Sequence, residues 1–99
     1  VEGAAGVIAW FRRWRAENAR VRDAERRALS AFRDSRGHAG FGAWIVRRTE
    51  DETVVRVCFG DLRPPRRAWF AVPASAGAPV RELSWDEVSP MGEGERVWR

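Results

Sequence analysis

The sequence predicts an α+β fold in which one long N-terminal helix packs on a three- to four-stranded antiparallel sheet. Three observations predict it. Apolar residues recur at steps of three and four through the first third of the chain, the period changes to two after Gly40, and prolines and glycines break the remainder into short strand-sized runs. Charge divides at the same place. Up to Arg36, nine arginines face five acids, and from Gly37 onward nine arginines face nine acids, so the net charge of +4 belongs to the helical third.

From about residue 4 to residue 36 there is no proline, and no glycine after Gly6. Val7, Trp10, Phe11, Trp14, Val21, Ala24, Ala28 and Phe32 form one apolar stripe, with a gap around Asn18. Arg12, Arg15, Arg22, Arg26 and Arg33 lie on the other side, and Asp23 with Arg27 is spaced as an i,i+4 ion pair. Arg33 and Arg36 suit the negative end of the helix dipole, and Gly37 is the stop signal. Some thirty helical residues would run about 45 Å, which is longer than a small sheet can cover. The first turns are therefore expected to project or to pack on something outside the domain.

After the Gly37–Gly40 loop, Phe41–Arg48 and Thr53–Gly60 read as a hairpin joined through the polar Thr49–Glu52 turn. Pro64 and Pro65 mark a loop, because neither can donate to a ladder. Arg67–Val72 is a third strand. Val80–Trp85 is a fourth, although Ser84-Trp85-Asp86-Glu87 also reads as a capping box, leaving strand or helix open over Val80–Val88. The whole chain, 1–99, is expected to be one domain: helix over 4–36, antiparallel sheet over 41–85, irregular tail over 86–99.

Alternation assigns Phe41, Ile45, Val55, Val57, Phe59, Phe70 and Val72 to the face under the helix. Trp44, Val46, Val54 and Trp69 then fall on the second face, a large apolar load for a surface in water. Three coverings are open: the tail through Trp85 or Trp98, a second copy of the chain, or a ligand or partner.

The element order helix then meandering strands, over roughly residues 4–85, resembles the cystatin-like and NTF2-like folds. Cystatin inhibitors carry a Gln-x-Val-x-Gly hairpin and a later Pro-Trp. Here the hairpin tip is Thr49–Glu52, and the following tryptophan, Trp69, is preceded by Ala68. Protease inhibition is thus not implied. An NTF2-like pocket enzyme, by that resemblance, would use His38 or Asp61.

No residue pattern identifies a catalytic, cofactor or metal site. His38 is the only histidine, in a loop, and Cys58 is the only cysteine, which excludes an internal disulfide and a multi-cysteine metal site. Glu50, Asp51 and Glu52 occupy a hairpin tip and read as a solvated turn. All eighteen basic residues are arginine, as GC-rich coding would produce. A lone cysteine and the lack of a long apolar run fit a cytoplasmic protein, while a start at Val1 leaves room for a removed leader or anchor.

The functional expectation is a small non-enzymatic association domain, homodimerising or part of a larger assembly. Its contacts would be Trp44, Val46, Val54 and Trp69 on the sheet, or Trp10 and Trp14 on the projecting helix. The alternative is a nucleic-acid-binding module using Arg12, Arg15, Arg22 and Arg26 against phosphates. Phe11-Arg12-Arg13-Trp14-Arg15 also has the composition of a membrane-surface segment, a weaker alternative.

Overall fold

A computed structural model gives the fold. It describes the backbone of residues 2–91 and the side chains from residue 6 to residue 91. Helix α1 (Glu2–Arg36) precedes strands β1 (Gly42–Arg48), β2 (Glu52–Phe59), β3 (Arg66–Pro73) and β4 (Arg81–Leu83). A one-turn helix α2 (Trp85–Val88) and a 3-10 turn, Ser89–Met91, follow. The strands pair antiparallel in chain order. One long N-terminal helix on a four-stranded antiparallel sheet is the architecture the periodicity predicts.

Helix α1 ends where expected. Gly37 takes φ 76°, a left-handed conformation that suits glycine, and its N–H donates to the Arg33 carbonyl at 2.8 Å. The hairpin turn is held at its neck: the Thr49 N–H donates to the Glu52 carbonyl at 2.8 Å, and the Thr49 hydroxyl accepts from the Glu52 N–H at 3.2 Å.

The main core lies between the second half of α1 and one face of the sheet. Ala24, Ala28 and Phe32 meet Val55, Val57, Ala68, Phe70 and Val72, with Ile45 and Phe59 packed at the margin. Phe32 centres it, its ring 4.8 Å from Phe59 and 6.4 Å from Phe70. The small residues Ala24 and Ala28 let the helix backbone approach the sheet. Gly40 allows a second close approach, since a Cβ there would stand 2.5 Å from the Val57 side chain. Leu29, absent from the predicted stripe, also packs against this core.

One assignment of a strand face is corrected. Phe41 lies just before β1, its N–H donating to the Cys58 carbonyl at 2.9 Å, and its ring is exposed. A bulge interrupts β1: Ile45 faces Val55 and Arg47 faces Val54, with Val46 the extra residue, which keeps the second face that alternation assigns it. Over Val80–Val88 both readings hold in turn. Arg81–Leu83 pairs with β3, and Ser84 then caps α2, with Glu87 returning the capping-box contact. The tail is accordingly helical to Met91, not irregular throughout.

Arginines pin the helix across the sheet. Glu17 pairs with Arg48 at the end of β1. Arg27 donates to the carbonyls of Pro73 at 2.7 Å and Ala78 at 3.1 Å, tying the chain that leaves β3. Arg36 grips both oxygens of Glu82 on β4, at 2.6 and 3.0 Å. The Arg36 hydrogen bonds hold the Glu82 carboxyl below its ordinary pKa, while partial burial acts the other way.

A depressed folded-state pKa means the pair stabilises the protein above the ordinary carboxylate pKa and is lost as pH falls through the folded value. Glu82→Gln should therefore cost under about 1 kcal/mol at neutral pH, as befits a solvent-screened pair. Urea unfolding should show that difference shrinking to nothing on acidification.

Candidate functional site

The first half of α1 extends beyond the sheet. A helix of 35 residues is about 52 Å long, and the molecule's longest dimension is 53 Å. From Gly6 to Glu17 every residue is exposed, and among the described residues Glu17 makes the first ion pair to the sheet, through Arg48. Yet the apolar stripe does not stop at the sheet's edge. Val7, Trp10, Phe11 and Trp14 continue the row that Ala24, Ala28 and Phe32 bury, while Ile8 lies on the side that carries Arg12 and Arg15. These five residues are 45–64% exposed.

The rings are ordered against each other. Trp10 stacks on Trp14 with centroids 6.4 Å apart, Phe11 lies 5.8 Å from Trp14, and the Arg15 guanidinium sits 5.1 Å over Phe11. Large aromatics carry about 150–250 Å² each, so the three half-exposed rings present about 300 Å². Val7 brings the patch to about 400 Å², within the range of the largest apolar patches on monomers, which are often functional.

The second sheet face is not the open surface that alternation suggested. Val54 is 1% exposed and Trp69 9%. They form a second core with Ala71, Leu83 and Val88, against which Val46 and Met91 pack. The tail supplies this cover: α2 places Val88 inward, and the Trp85 ring lies 5.4 Å from Trp69. Val54 and Trp69 are thus interior residues and cannot be a contact surface. The Trp98 part of the tail expectation lies outside the described residues.

Trp44 is the partly exposed member, folded back over Gly42, where a Cβ would meet its ring at 2.6 Å. Arg56 pairs directly across from Trp44 and from Trp69, is buried, and places its guanidinium 5.4 Å over the Trp44 ring. The capping box followed by Val88 was the sequence signal for this cover. Nothing in a local pattern said that it would fold onto β3.

The remaining candidates separate from one another. His38 packs its ring against Phe32 at 5.3 Å and Phe59 at 6.0 Å, at the edge of the core. Cys58 is fully buried in β2. An open hollow of about 620 Å³ is lined by Phe41 and the Gly60–Pro65 loop, including Asp61, and His38 is not in its wall. Among the described residues, no three His, Cys, Asp or Glu side chains gather as metal ligands.

The arginines of the alternative reading, Arg12, Arg15, Arg22 and Arg26, are all exposed and share one side of α1. Two are engaged: Arg26 pairs with Asp23, and Arg15 stacks over Phe11. No described helix is long and apolar enough to cross a membrane. Compared with family models, curated proteins and solved structures, the chain matches none.

If α2 covers the second face, a charge at Val88 should uncover it. Val88→Asp is expected to lower stability by about 3 kcal/mol or more, the cost of an unpaired buried carboxylate. It should also raise binding of the dye ANS. Unchanged stability and dye binding would mean that α2 does not seal Trp69.

Proposed function

We propose that this protein is a non-enzymatic association domain that docks through the aromatic stripe on the projecting half of α1. The observation that carries this reading is the exposure of Val7, Trp10, Phe11 and Trp14 on a row whose continuation forms the protein's own core. Those rings contribute little to the stability of a lone chain, and they gain only when something covers them. Helix α1 is anchored at Glu17, Arg27 and Arg36, so the stripe is offered on a fixed arm. The interface set expected on the sheet reduces to a part-exposed Trp44, and the helix set widens from Trp10 and Trp14 to include Val7 and Phe11. The helix-then-meander order resembles a cystatin-like arrangement in element order alone, with a hairpin tip that lacks the inhibitor residues.

A second reading rests on the row formed by Arg12, Arg15, Arg22 and Arg26, which would meet the phosphates of a nucleic acid. Ionic strength separates the two. Phosphate binding weakens steeply with salt, whereas apolar association does not.

Sedimentation equilibrium at low and high salt, on the protein and on Trp10→Ala/Trp14→Ala, tests the proposal. Self-association should persist at high salt and weaken at least tenfold in the double variant. Both rings are exposed, so the variant should keep the wild-type unfolding curve within about 1 kcal/mol. Association that is unchanged in the variant would contradict the stripe's role.

A further inference from the structure

We infer that the occupant of the stripe is a second copy of this chain, with the two projecting helices packed antiparallel across a two-fold axis between Trp10 and Phe11. The inference rests on the docking role proposed above and adds partner and geometry.

The approach direction is set by the fold. The exposed stripe faces the same side of α1 as the sheet, because Ala24, Ala28 and Phe32 continue it into the core. A partner must therefore enter the notch between the arm and the Arg48–Glu52 end of the sheet. A flat bilayer laid along the arm would meet that end first, where the exposed turn over residues 48–51 stands on the same side as the stripe. A rod as narrow as one helix fits the notch.

Symmetry and sterics then choose the orientation. A second copy presents the same apolar row, as a two-fold interface requires. A parallel copy in register would drive its second half into the space that the first copy's sheet fills. An antiparallel copy overlaps only the uncovered turns and sends the two sheets to opposite ends.

Centred on the aromatic cluster, this arrangement sets Val7 against the partner's Trp14 and Trp10 against the partner's Phe11. No arginine comes directly opposite another. Arg13 comes opposite the partner's Ile8 and Arg15 opposite the partner's Gly6, while the stacking on Phe11 holds the Arg15 guanidinium to the side. The area argues for a reversible pair. Two patches of about 400 Å² bury about 800 Å² together, the size of a weak and transient contact, so a concentration-dependent pair is expected.

The test is an intermolecular distance on the full chain. A spin label on Ser30→Cys sits at an exposed site, and the native Cys58 is buried and protected from labelling. At 1.5 Å per residue the antiparallel pair separates the two labels by about 60 Å, whereas a parallel pair would hold them within about 30 Å. The expected result is a distance near 60 Å that disappears in Trp10→Ala/Trp14→Ala. A stripe-dependent dimer with a short distance would overturn the antiparallel pair and leave the docking role standing. A monomer that binds phosphatidylglycerol vesicles through the same two tryptophans would overturn the second copy and keep the stripe as a docking surface. A monomer with no vesicle binding would remove both.

Discussion

Everything in this molecule depends on a mismatch of length. Strands of at most eight residues span about 27 Å, and α1 is nearly twice as long. The sheet can bury only the second half of the helix. An ordinary sequence would turn polar at that boundary, as surface helices do. This one places its largest rings there. The stability of the domain and its capacity to associate are consequently written on one helical row, divided by where the sheet ends.

Within the domain, a short chain covers both faces of its sheet with little material. Helix α1 seals one face through Phe32 and two alanines, and a single turn of helix seals the other through Val88. The second layer works because β3 carries the large ring of Trp69 and the tail brings Leu83, Val88 and Met91 to it. Arg56 runs beneath this layer between Trp44 and Trp69, where its guanidinium lies over an aromatic face. Arginine tolerates such a position better than lysine because its planar group stacks and is weakly hydrated.

The elements were legible from local signals: helical spacing and Gly37 for α1, the polar Thr49–Glu52 turn for the hairpin, and Ser84 with Glu87 for α2. What covers Trp69 was not legible, because alternation gives the two faces of a strand but not which distant segment lies on each. The bulge at Val46 was hidden for a related reason, since an inserted residue shifts register without changing composition. Phe41 reads as a core residue by type and its backbone bonds to β2, yet its ring is exposed, which alternation alone does not reveal. The candidate site was half legible. The stripe and its excess length were in the spacing, but the choice between sheet face and helix arm turned on the tail's fold.

The most direct measurement is amide hydrogen exchange along α1 at low and high protein concentration. The account predicts fast exchange over residues 6–16 in dilute protein, slow exchange over 24–32, and protection of the first segment alone as concentration rises. Uniform protection of the whole helix, independent of concentration, would contradict the claim that the first half of α1 is an uncovered docking arm.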